Sequence, residues 1–149
     1  MPIKRWYWAG VLALMLVGFL PGIAQSQEIA RVMSVSGEAA VQRGSEHLRV
    51  KPGDPLYESD VVTTGADGSL GLAFVDNTVF TAGPSSELAL KHFRFDARSS
   101  TGEMLADMKH GTLSVVSGAM VKGSPGAMKI KTPTAVLNVR GTTFLVKID

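Results

Sequence analysis

From residue 27 onward the apolar residues come in short runs, many alternating with polar ones, and each run is closed by Gly, Pro, Asp or Asn. Leu70, Leu72 and Phe74 stand at period two, with Ser69, Gly71 and Ala73 between them. Side chains two apart share one face of a strand, so such a run buries one face and leaves the other to water. Comparable runs recur at Ile29–Val35, Ala39–Val41, Leu48–Val50, Asp60–Thr64, Thr78–Thr81, Leu88–Leu90 and Phe93–Phe95. They continue at Met104–Met108, Thr112–Val116, Met128–Ile130, Ala135–Val139 and Thr142–Ile148. About a dozen strands at intervals of roughly 8–12 residues predict an all-β domain, a sandwich, barrel or solenoid. Glu103–His110 is the one stretch that also fits helical spacing. Its short length between Gly102 and Gly111 favours a strand. Val35-Ser36-Gly37-Glu38-Ala39 and Val116-Ser117-Gly118-Ala119 hint at a weak internal repeat.

The first residues read differently. Lys4 and Arg5 precede an uninterrupted apolar run from Ala9 to Leu20, then Pro21-Gly22, then small residues at Ala24 and Ser26. Charge, apolar segment, breaker and small-residue site are the parts of a secretory signal peptide. Residues 1–26 are read as that peptide, cut after Ser26 or, as second choice, after Ala24, and residues 27–149 as one β domain. The competing reading is a retained anchor, because Trp6–Ala24 approaches the ~20 apolar residues of a membrane helix. Residues 1–26 hold two of the 15 Lys and Arg and none of the 13 Asp and Glu, so residues 27–149 carry 13 of each sign. The basic pI therefore belongs to the leader, and a balanced domain offers no electrostatic footprint for nucleic acid. The chain has no cysteine, so an exported domain must rest on its core without disulfides.

Candidate chemistry is sparse. His47, His92 and His110 lie far apart without metal-ligand spacing and read as solvated loop or edge residues. Asp54, Asp60, Asp67 and Asp76 each stand at or beside a turn, where Asp bonds local backbone; calcium is the weaker alternative. Met33, Met104, Met108, Met120 and Met128 read as flexible core filling rather than a soft-metal site. Phe93 and Phe95 share a face and read as core. No nucleophile elbow is present, and neither a cofactor nor a metal is expected.

The stretch Thr132–Val146 reads as two strands joined at Arg140-Gly141-Thr142. Arg140 reads as a structural arginine satisfying backbone carbonyls at a bend, or as a contact to a partner's carboxylate. Gly141 reads as a bulge or a close backbone approach.

Taken in order, Gly37, Gly53-Asp54 with Leu56, Thr64-Gly65 with Gly68, and Leu72-x-Phe74-x-Asp76 resemble the FecR domain family. Leu88-x-Leu90, Gly111-x-Leu113, Thr132-Pro133-x-Ala135 and Val139-Arg140-Gly141-Thr142-x-Phe144 extend the resemblance, which covers about residues 32–147. It implies a non-enzymatic extracytoplasmic β domain, a twisted, solenoid-like or sandwich-like stack of strands. Gly53, Asp54, Thr64, Gly65, Phe74, Asp76, Arg140, Gly141, Thr142 and Phe144 are then structural or partner-contact positions. The best-known members are membrane-spanning regulators of sigma factors in iron uptake. That role is not expected here, with about five residues before the apolar run and the chain closing after the motif. The expectation is a periplasmic or secreted module making protein–protein contacts in the cell envelope with an unidentified protein. The alternative is a structural protein associated with peptidoglycan or another glycan, and a hydrolase ranks third. The membrane is expected to be met only through the leader.

Overall fold

The computed structural model describes residues 26–149, so the signal-peptide reading lies, apart from Ser26, outside the described residues. Twelve strands and one short helix follow one another. They are β1 (Glu28–Ser36), β2 (Ala39–Arg43), β3 (Glu46–Arg49), β4 (Pro55–Tyr57), β5 (Val61–Thr64), β6 (Ser69–Phe74) and β7 (Val79–Ala82). Then come β8 (Glu87–Asp96), β9 (Thr101–Val116), α1 (Ala119–Gly123), β10 (Met128–Lys131), β11 (Val136–Val139) and β12 (Thr143–Ile148). No helix among the described residues is long and apolar enough to cross a membrane.

All twelve strands join one curled sheet. One half runs β3-β2-β5-β8-β9-β10-β11 and the other β4-β1-β6-β7-β9-β12. The pairs are antiparallel except β9 with β10, which is parallel. The all-β expectation holds.

β9 belongs to both halves, and its sequence shows how. Residues up to His110 pair with β8, while Gly111–Val116 pair with β12 and Leu113–Val116 with β7. The change of partners falls at Gly111, whose φ of +103° is a left-handed value that a side chain disfavours. A Cβ there would also run into Ser86. The expectation of two strands ended by Gly102 and Gly111 is therefore corrected: both glycines lie inside one strand, and Gly111 bends it. Ser86 fills the corner. Its hydroxyl accepts from the Thr112 amide at 3.0 Å and donates toward the Gly83 carbonyl at 2.8 Å. Thr64 completes the knot, donating to Gly83 at 2.6 Å and accepting from the Ser86 amide at 2.9 Å.

The bend folds the two inner faces over one core. Phe74 of β6 stacks on Phe93 of β8, ring centres 5.4 Å apart, and meets Phe80 of β7 edge-on at 4.8 Å. Leu56, Val62, Leu72, Leu90, Met108, Leu113 and Ile130 are buried in the same cluster. Each buried aliphatic side chain contributes about 1.5–3 kcal/mol, so a chain without disulfides has a core sufficient to hold it. Met104, Met108, Met120 and Met128 fill this core, but Met33 is exposed on the outer face of β1, a departure from the core-filling expectation. Phe93 is buried and Phe95 half-buried, as their shared face requires.

The two hinted repeat fragments differ. Gly37 turns between β1 and β2 at φ +64°, whereas Gly118 leads into α1 at φ −100°. Their likeness in sequence reflects a shared strand ending and not a shared unit.

Candidate functional site

The residues singled out in the sequence separate into two groups. The first, from exposed Gly53 to buried Asp76, holds the sheet together. Gly53 has φ +96° in the turn before β4 and donates its amide to Val32 at 2.8 Å. The Asp54 carbonyl accepts from the Val32 amide at 2.8 Å, and its carboxylate accepts from the Lys51 amide at 3.0 Å. Gly65 donates to the Glu38 carbonyl at 2.8 Å beside the Thr64 knot.

Asp76 lies in the turn between β6 and β7 and is 1% exposed. One oxygen accepts from the Thr78 amide at 3.1 Å; the other takes the Thr78 hydroxyl at 2.7 Å and the Met120 amide at 3.2 Å. The Thr78 oxygen in turn accepts from the Gly118 amide at 3.0 Å. A carboxylate without a cation is tolerable in a core only when donors surround it. These donors are drawn from two chain segments, the β6–β7 turn and the start of α1.

Asp60 has a cation as well. Arg43 clamps it with two nitrogens at 2.9 and 2.8 Å and lies 4.6 Å over the Tyr57 ring. Asp54, Asp60 and Asp76 thus all serve local backbone or a structural pair. Among the described residues no three His, Cys, Asp or Glu converge as a metal site.

His92 corrects the edge-histidine expectation. It sits within β8, half-buried, with Glu103 at 3.0 Å and Glu58 at 3.7 Å. The His92 hydrogen bond holds the exposed Glu103 carboxyl below the usual glutamate value. Nearby, a groove of about 850 Å³ is floored by Ile29, Phe93 and Phe95, with Glu28 and Glu58 at its rim. Its carboxylates already have partners: Glu28 in Arg31, Glu58 and Glu103 in His92, and Asp96 in the Arg98 amide. Among the described residues no histidine ring is hydrogen-bonded to a Ser or Thr hydroxyl.

The second group is exposed. Arg140, Gly141 and Thr142 carry the chain from β11, in one half of the sheet, to β12, in the other. Ser117 fixes this crossover: its hydroxyl donates to the Gly141 carbonyl at 2.6 Å and its amide to the Thr142 carbonyl at 2.7 Å. Phe144 then turns inward and packs on the core. Arg140 itself is exposed and makes no side-chain hydrogen bond or ion pair among the described residues. The expectation that its guanidinium satisfies backbone carbonyls at the bend is corrected, because Ser117 does that work. Gly141 has no positive φ, and a Cβ there would meet nothing within 4 Å. The expected bulge or close approach is absent. In the sequence Ser117 stands out only within the hinted repeat, because a serine after a strand carries no spacing that marks this role.

Among the described residues, the strands on either side of the crossover are free on one edge: β11 pairs only with β10, and β12 only with β9. The Thr132 amide donates to the Ala135 carbonyl at 2.8 Å, which makes those residues a hydrogen-bonded antiparallel pair. Alternation then turns Leu137 and Val139 toward β10, and the N–H and C=O groups of Val136 and Asn138 outward. The Val139 carbonyl accepting from the Gly126 amide at 3.3 Å agrees with that phase. Thr132 closes the hairpin, its hydroxyl bonding both the amide and the carbonyl of Ala135, which accounts for the Thr132-Pro133-x-Ala135 pattern. Val136 is 56% and Leu145 68% exposed, so each edge also shows an apolar side chain. Backbone donors and acceptors beside apolar side chains suit addition of a further strand.

No curated protein matches the chain. A solved structure titled "Cell surface anchoring domain" is 32% identical over 41% of this chain and 82% of its own, with a TM-score of 0.40, too low to carry its architecture or role across. The family model described as FecR protein matches residues 60–149, from the Arg43-clamped aspartate through the Thr64 knot, the Asp76 turn and the Arg140 crossover, and the chain belongs to the FecR family.

Proposed function

We propose that the chain is a non-enzymatic extracytoplasmic module that makes protein–protein contacts in the cell envelope. The observation that carries this reading is the exposed Arg140 crossover between two free strand edges, held rigid by Ser117 and the buried core. A preorganised edge spares a partner most of the ordering cost of binding. The signal-peptide reading of residues 1–26 and membership of the family support a periplasmic or secreted location. The proposal includes the finer architecture implied by the family, a twisted solenoid-like or sandwich-like stack, and the folding of the sheet at Gly111 over one core supports it.

The test is affinity capture of the tagged chain from gently solubilised envelopes of its host, read by mass spectrometry. One envelope protein recovered at near-equal amount is the expected result. Non-specific background alone, with sedimentation of the chain on purified peptidoglycan, contradicts it in favour of a wall-associated role.

A further inference from the structure

We infer that the free edge of β11 takes an extended, acidic segment of a partner protein as an added strand. This rests on the reading of the chain as a protein-contact module and names the chemistry of the partner. Charge is segregated along the described chain. Residues 118–149 hold Lys122, Lys129, Lys131, Arg140 and Lys147 against Asp149 alone. Residues 27–117 hold the other twelve carboxylates and eight Lys and Arg. The balanced total hides a basic end.

Of that end, Lys129, Lys131 and Arg140 stand beside the free edge, while on the side away from it Asp107 of β9 lies opposite Lys131 and Glu103 is close enough to Lys129 to feel its charge. Lys129 and Lys131 lie opposite Asn138 and Val136 in the β10–β11 register, so all four side chains share the outer face. All four are exposed, while Met128, Ile130 and Val139 are buried and Leu137 half-buried on the inner face. Arg140 follows directly. Lys122, Lys129, Lys131 and Arg140 make no ion pair among the described residues.

Lysines near a sheet edge commonly guard it against pairing, but a guard stands on the edge strand itself. Here the edge strand, Val136-Leu137-Asn138-Val139, is uncharged, and the lysines stand one strand inside. Strands lie about 4.8 Å apart, so an added strand sits about 10 Å from β10. A lysine stem on β10 and an Asp or Glu side chain on the newcomer together close that gap above Val136 and Asn138. Backbone pairing supplies attachment, and the lysines with Arg140 select an acidic partner over a basic one.

The test is fluorescence anisotropy on the full chain in mild detergent with three labelled peptides. The first alternates Glu with Val and Thr, the second replaces each Glu by Lys, and the third is the first with alternate backbone amides methylated. The account expects the first to bind and the other two to bind at least about tenfold more weakly. It also expects K129E/K131E, folded by circular dichroism, to lose affinity for the first by a similar factor. Equal binding of the first two peptides, an unchanged K129E/K131E variant, full binding of the methylated peptide, or no binding at millimolar peptide each overturns it. Preferential binding to phosphatidylglycerol vesicles also overturns it, by assigning the basic face to a lipid surface. A captured envelope protein alongside such negative results would leave the proposed function standing and remove this assignment alone.

Discussion

Replacing Asp76 by alanine removes the acceptor for three donors in a site that is 1% exposed: the Thr78 amide, the Thr78 hydroxyl and the Met120 amide. A buried donor left without a partner costs about 1–3 kcal/mol. The Thr78 hydroxyl can rotate to another acceptor, and removing a buried carboxylate returns some desolvation energy. We therefore expect Asp76→Ala to cost about 3 kcal/mol, a large fraction of the ~5–15 kcal/mol that holds a typical domain. Asp76→Asn keeps the shape but sets an amide group against at least one donor, at about 1–2 kcal/mol. Urea unfolding followed by circular dichroism measures both, with unchanged m-values showing that the comparison is between like states. If Asp76→Ala melts within about 0.5 kcal/mol of the wild type, the carboxylate does not tie the β6–β7 turn to α1 and the structural role assigned to it fails.

Other perturbations read different parts of the fold. Gly68→Ala places a Cβ into the Glu38 carbonyl and is expected to lose about 1–3 kcal/mol in the same assay. Gly141→Val meets open space and should leave the thermal midpoint within the range of a surface change, about 0.5 kcal/mol. The Glu103 carboxyl is depressed in the folded protein by its hydrogen bond with His92. Its contribution is therefore present above the unfolded value of about 4.3 and is lost as pH falls through the lower folded value. Carbon NMR should show Glu103 titrating below an ordinary glutamate, and His92→Ala should return it toward that value.

Period-two runs showed most of the strands because one face is buried more than the other, as in β10, where Met128 and Ile130 are buried and Lys129 and Lys131 exposed. The length of β9 was hidden because glycine commonly ends a strand. Only the three-dimensional position of Ser86 shows that Gly111 bends one instead. α1 is too short to show a helical period. Thr64 and Thr78 read as strand residues, Thr64 also as a motif position, and Ser86 as a turn residue; their bonding roles were hidden because the partners lie as far as 40 residues away. Arg140 stood out as a lone charge between Val139 and Gly141. Its exposure, and the pinning of the crossover by Ser117, follow from contacts between segments 24 residues apart that no local pattern encodes.

In the proposed function, the edges beside the Arg140 crossover meet a partner. A photoreactive residue at Val136 or Leu145, activated in intact host cells, tests that contact most directly against a control at Glu46 on the edge strand β3. The account predicts a discrete cross-linked band to one envelope protein from position 136 or 145 and none from position 46. Equal labelling from all three, or a band from position 46 alone, would contradict it.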